Sequence, residues 1–182
     1  MKISARRAVE GDGKDMKRFG HGRSRLDPTK DLVGFLVGAV HYAIDIQCVR
    51  EITKPLDLTA LPHAQAPIIG VADYRGEVIP VVDMRLHLSS SAEQTKKTKW
   101  IVVRVEGRLA AIVVDTVTDV FGTGTSELRG APSLGESDAK RGIKGVASIR
   151  GQMAFVLDTA LIAELSRPGQ LLKPAAALPG GV

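Results

Sequence analysis

Between residues 32 and 166 the chain alternates short apolar runs with brief polar or glycine-containing breaks. The runs LVGFLVGAV (32–40), HYAIDI (41–46), WIVVRVEG (100–107), LAAIVVDTVTDVFG (109–122) and GVASIRGQMAFVLD (145–158) are rich in β-branched residues and bounded by turn formers. Such runs predict strands, and their spacing of about eight to twelve residues predicts small barrels or a sandwich. One segment follows a different period. In DTALIAELS (158–166), Leu161, Ile162 and Leu165 form an apolar stripe behind Asp158, which predicts a short helix with Asp158 as its N-cap. The polar, turn-rich stretch 129–142 reads as a mobile loop. Residues 88–99, LSSSAEQTKKTK, read as a connection between two halves.

The halves are related. Shifted by 75 residues, GVADYRGEVIPVVDMRL (70–86) falls on GVASIRGQMAFVLDTAL (145–161) with eight identities in seventeen positions. Both Arg-Gly pairs, Arg75-Gly76 and Arg150-Gly151, are among them, as are Gly70 with Gly145 and Asp83 with Asp158. Upstream, YAIDIQCVREI (42–52) falls on AAIVVDTVTDV (110–120) with an offset of 68. The seven-residue difference between the offsets fits an insertion in the polar loop at 129–142. Each copy spans about 60 residues, a size that buries only about 60% of its unfolded surface and is marginal alone. Two related small β-barrels sharing a core are therefore expected. Each Arg-Gly pair lies between apolar runs and predicts a hairpin turn, with Gly supplying the positive φ. Pro80 lacks an N–H and predicts an edge strand or a bulge, whereas its repeat partner is Phe155.

Charge locates the ends of the folded part. The net charge of the 182-residue chain is +5, but residues 1–31 carry nine Lys/Arg against five Asp/Glu. Residues 167–182 add Arg167 and Lys173 with no acid, so 32–166 stands near −1. Residues 1–31 therefore read as a disordered basic extension and 167–182 as a flexible tail. A nucleic-acid-binding domain would place its basic charge on the folded surface. No apolar run reaches the length of a membrane helix, and no secretory leader is evident. Cys48 is the sole cysteine, which excludes an intrachain disulfide and suits a cytoplasmic protein.

Catalytic constellations are missing from the pattern. The histidines, at 21, 41, 63 and 87, show no metal-ligand spacing, and His41 and His63 read as surface residues. GTGTSE (122–127) puts Glu127 where a dinucleotide fingerprint needs glycine. Cys48 has no histidine nearby in sequence to activate it and reads as a small buried apolar residue. Acid pairs such as Asp115 and Asp119 are ordinary on strands. No enzyme activity, cofactor or metal is expected.

The runs FLVGAVHYAIDIQCVREI, APIIGVADYRGEVIPVVDMR and LAAIVVDTVTDV resemble the CheW-like domain, the coupling module of bacterial chemotaxis-type signalling. The resemblance covers about residues 33–165, and its most specific piece is the string from Gly70 to Arg85. It implies an all-β fold of two pseudo-repeated SH3-like five-stranded barrels with a short C-terminal helix. Barrel 1 is expected at about 33–95, barrel 2 at about 98–158 and the helix at 158–166, within a domain at 32–166.

The resemblance further implies a non-enzymatic adaptor coupling chemoreceptors to a CheA-type histidine kinase. The kinase's regulatory domain and the chemoreceptor signalling tip are the implied partners, with the membrane reached only through receptors and no nucleic acid bound. Val49, Glu51 and Ile52 match the family's V-x-E-I segment and are assigned to a receptor groove, with Arg75 as its Arg-Gly arginine. Val117 and Val120, the repeat partners of Val49 and Ile52, are assigned to the other wall. As core residues the four apolar side chains fit equally, and Arg75 fits equally as an ion-pair partner of Asp83. Gly70, Gly76, Gly145 and Gly151 are assigned to structural turns. Asp73-Tyr74 stands where the family usually has Asn-Leu, and the first hairpin, at AVHYA, is shorter than in many relatives. Two alternatives remain: a variant adaptor binding only receptor or only kinase, and a nucleic-acid-binding β-barrel that uses the basic extension.

Overall fold

The computed structural model describes residues 31–62, 64, 66–88, 95–122, 129–130, 141–149 and 151–167. Twelve strands and two short helices are found among them. The first half holds β1 (Asp31–Val37), β2 (Val40–Asp45), a single 3₁₀ turn (Ile46–Cys48), β3 (Val49–Thr53), β4 (Leu58–Thr59), β5 (Ile68–Tyr74), β6 (Glu77–Asp83) and α1 (Met84–His87). The second half repeats the order with β7 (Lys99–Val105), β8 (Arg108–Val114), β9 (Thr116–Gly122), β10 (Arg129–Gly130), β11 (Ile143–Ile149), β12 (Gln152–Leu157) and α2 (Thr159–Leu165). The helix expected at 158–166 is α2, and Asp158 caps it by accepting from the Ala160 N–H at 2.9 Å. Its repeat partner α1 is a helix that apolar periodicity does not reveal in four residues.

The fold is all-β, in two six-stranded sheets ordered β10-β11-β12-β2-β1-β9 and β3-β7-β8-β6-β5-β4. Each has five long strands and one strand of two residues, consistent with the SH3-like folds that the resemblance implies. The sheets do not divide the chain at residues 95–98. One takes β1 and β2 from the first half and β9–β12 from the second, while the other takes β3–β6 and then β7 and β8. Each copy lends its first hairpin to the other copy's sheet. The boundaries 33–95 and 98–158 thus delimit the sequence repeat, not the sheets. Self-similarity identifies corresponding strands, but strand pairing is a long-range choice that it does not encode.

The exchange is symmetric in detail. The β6–β8 and β12–β2 joints are both parallel. Register shifts at Val49/Glu51 on β3 and Gly34/Phe35 on β1 leave Arg50 and Thr118, repeat partners, as the extra residues. The shifts at Ile68/Gly70 and Ile143/Gly145 correspond in the same way. Gly70 and Gly145 therefore lie within strands at bulges, not in turns. A Cβ on Gly70 would stand 2.3 Å from the Thr59 carbonyl oxygen, so glycine there permits the approach of β4. Gly76 and Gly151 do occupy turns, with φ of 84° and 80°. The two-residue strand β10 lies inside the stretch read as a mobile loop, most of which is outside the described residues, as are the extension before Asp31 and the tail after Arg167. Asp31 itself already pairs in β1.

Burial on both faces explains the unbroken apolar runs. Along β8, Ala110, Ile112 and Val114 enter a core shared by both sheets, while Leu109, Ala111 and Val113 fill the interior of one. The shared core includes Val33, Phe35, Ile44, Val82, Ile101, Val103 and Ile162. A smaller cluster, Leu32, Ala43, Ala147 and Val156, fills the other sheet. Successive side chains point to opposite faces, so a strand between two cores reads as continuously hydrophobic.

Pro80 is not on an edge. Strand β6 lies between β5 and β8, but the β6–β8 ladder begins only at Val81. The missing N–H falls just outside that ladder, which makes proline compatible with an interior strand.

Candidate functional site

The β5–β6 hairpin turns through Arg75 and Gly76, both with positive φ (56° and 84°), between the paired residues Tyr74 and Glu77. This is the two-residue type I′ geometry that follows the twist of the strands. The Asp73 carboxylate accepts from the Gly76 N–H at 2.9 Å and closes the turn. A left-handed backbone at a residue with a Cβ costs about 1–2 kcal/mol, so Arg75 sits in a conformation that glycine or asparagine adopts more readily.

Across the same sheet, on edge strand β3, the Glu51 carboxylate receives two donors on one oxygen. The Tyr74 hydroxyl donates to Oε2 at 2.5 Å and Arg75 Nη2 donates at 2.7 Å. The guanidinium also lies over the Tyr74 ring, 5.3 Å from its centroid. Tyr74 is buried, its ring part of a sheet-interior core and its hydroxyl reaching the rim. The bond to Glu51 favours the neutral phenol and, with burial, pushes its ionisation above the ordinary tyrosine value. Arg75 remains 68% exposed in its side chain.

The structure thus brings Glu51 and Arg75 together. Val49, Val117 and Val120 are half-buried and pack against the margin of the shared core, on edge strands β3 and β9. Ile52 is 39% exposed, and burial along β3 alternates, placing Ile52 with Arg50 on the outer side and Val49 with Glu51 on the inner. Arg75 does not pair with Asp83. The arginine that does is Arg85, with Nη2 at 2.6 Å and Nε at 2.9 Å from the carboxylate, both side chains almost fully buried. Arg85 Nη1 also lies 3.7 Å from Asp115, whose other oxygen accepts from the Gly38 N–H at 2.6 Å. This network ties the end of β6 to the β8–β9 crossover and the β1–β2 turn. Neighbouring carboxylates raise the Arg85 pKa further, against the opposing effect of burial.

The roles of two residues are not legible in the sequence. Tyr74 drew notice only as a departure from the family pattern, because its role depends on Glu51, 23 residues away. Arg85 belongs to the first copy alone, since Ala160 occupies its place in the second, and its partner cannot be read from the repeat.

Cys48 is half-buried against the shared core, and its thiol donates to the Asp45 carbonyl at 2.8 Å. Desolvation, aided by Asp45, pushes its pKa up to about 12, so the thiol is protonated at neutral pH. Among the described residues no three His, Cys, Asp or Glu gather around a common point. No described helix is long and apolar enough to cross a membrane. What the arrangement offers is a surface: a fixed ion pair on a strand edge beside half-buried apolar side chains.

A family model described as "CheW-like domain" matches residues 31–167. The chain is 31% identical over 130 residues to "Chemotaxis protein CheW" of Rhizobium meliloti (strain 1021), covering 71% of this chain and 84% of that protein. It is 30% identical over 130 residues to "Protein FrzA" of Myxococcus xanthus, with 71% and 81% covered. The crystal structure of the scaffolding protein TtCheW from Thermoanaerobacter tengcongensis superposes with a TM-score of 0.64 at 25% identity, covering 71% of this chain and 88% of that one.

Proposed function

The chain belongs to the CheW-like domain family, and on that footing we propose that it is a non-catalytic scaffold of a chemotaxis-type signalling pathway. It acts in the cytoplasm, coupling chemoreceptors to a CheA-type histidine kinase. The observation that carries this reading is the family match, which extends over every described residue. The docking surface for the receptor tip is formed by Val49, Glu51 and Arg75, with Val117 and Val120 on the second edge strand and Ile52 at the rim. The absence of an activated nucleophile in the sequence pattern agrees with binding as the activity, and strand edges beside apolar side chains suit helical or extended partners.

Separate binding measurements against the kinase's regulatory domain and against a receptor signalling-tip hairpin test the proposal. Binding to both is expected. Binding to one alone makes the chain a single-partner adaptor, and binding to neither overturns the coupling role.

A further inference from the structure

Arg75 is held at three points and yet exposed. Its backbone is fixed by the turn, its Nη2 by Glu51, and the face of its guanidinium by the Tyr74 ring. Long exposed arginines ordinarily sample many rotamers, and that freedom is lost when they bind. Here it is already restricted. Nε and Nη1 find no acceptor among the described residues, and one of them, with the second Nη2 hydrogen, completes the planar fork that matches a carboxylate. The restriction depends on Tyr74, which touches both members of the pair: its hydroxyl bonds Glu51 Oε2 and its ring lies under Arg75. The repeat partner of Tyr74 is Ile149, so the other copy lacks the phenol.

We propose that Tyr74 is a positioning residue that locks Glu51 and Arg75, so that Arg75 presents its free donors to a carboxylate on the docked partner. This rests on the docking reading above and adds the partner's chemistry: an acidic side chain on the receptor tip that meets Arg75.

The test uses the full chain and a soluble signalling-tip hairpin of a chemoreceptor from the same organism, alongside the same hairpin with its Asp and Glu replaced by Asn and Gln. Tyr74→Phe keeps the ring and removes only the hydroxyl. It should weaken binding about three- to tenfold, the range of one hydrogen bond, with the chain still unfolding in a single cooperative transition. That loss should disappear in a Glu51→Gln background and against the neutralised hairpin. Equal affinity of Tyr74→Phe and parent, or a loss that persists with the neutralised hairpin, overturns the proposal. The lock has its own readout in the ultraviolet titration of the Tyr74 phenol, taken as the difference between parent and Tyr74→Phe. Its ionisation should fall toward the ordinary tyrosine value in Glu51→Gln, and an unmoved titration refutes the lock. If the parent chain does not bind the hairpin, the docking reading and the partner's chemistry both fail, and the phenol titration alone decides the lock.

Discussion

At the scale of single residues, two arginines ten positions apart carry opposite roles. Arg75 pairs with Glu51 at an exposed rim, where ion pairs contribute about 0–1 kcal/mol. Arg75→Ala should therefore leave the unfolding midpoint nearly unchanged while weakening receptor-tip binding, which calorimetry of folding and of binding separates. Arg85 is buried against Asp83, and removing one member of such a pair leaves the other charge uncompensated. Arg85→Ala should cost about 3–5 kcal/mol in denaturant unfolding. The Tyr74 phenol adds a pH dependence. Its folded ionisation lies above the unfolded value, so its contribution is complete below the ordinary tyrosine range and lost as pH rises through the folded value. Parent and Tyr74→Phe should accordingly converge in stability at high alkaline pH. Convergence already at neutral pH would contradict the hydrogen bond to Glu51.

At the scale of elements, the repeat allows the same position to be tested twice. Asp83 and Asp158 both cap short helices, accepting from Arg85 N and Ala160 N. Asp158→Ala should cost about 1 kcal/mol, the usual value of a lost cap. Asp83→Ala also strips Arg85 of its carboxylate and should cost several times more, about 3–5 kcal/mol. Equal losses at both sites would show that the Arg85 network contributes nothing beyond capping. Strand β1 offers a second test at Gly34, where an added Cβ would lie 2.4 Å from the Phe121 ring of β9. Gly34→Ala should cost about 1–3 kcal/mol through overpacking. The loss should be smaller when measured in a Phe121→Ala background. Of these features, the helix at 158–166 was legible because cap and apolar stripe lie within nine residues. The bulges were not, since a register shift is a property of two strands whose pairing the local pattern leaves open.

At the scale of the whole molecule, the exchanged hairpins make the halves interdependent. Residues 31–88 and 95–167 each contribute to both sheets and to the shared core. Neither half should show cooperative unfolding alone, whereas the two fragments mixed or co-expressed should assemble one to one and regain it. A stable fold in either isolated half would contradict the exchange. The all-β class, the twofold repeat, the hairpin at Arg75-Gly76, and the α2 helix with its cap are all written in local pattern. These follow from side-chain period, turn chemistry and self-similarity, all of which act over a few residues or are copied along the chain. Which hairpin joins which sheet, how an interior strand tolerates Pro80, why Arg85 rather than Arg75 meets Asp83, and how Tyr74 reaches Glu51 emerge only in the folded chain. Each of these depends on contacts between segments distant in sequence. Such contacts are fixed when the strands pack around the shared core, because every side chain must then find its volume and every buried charge its partner at once.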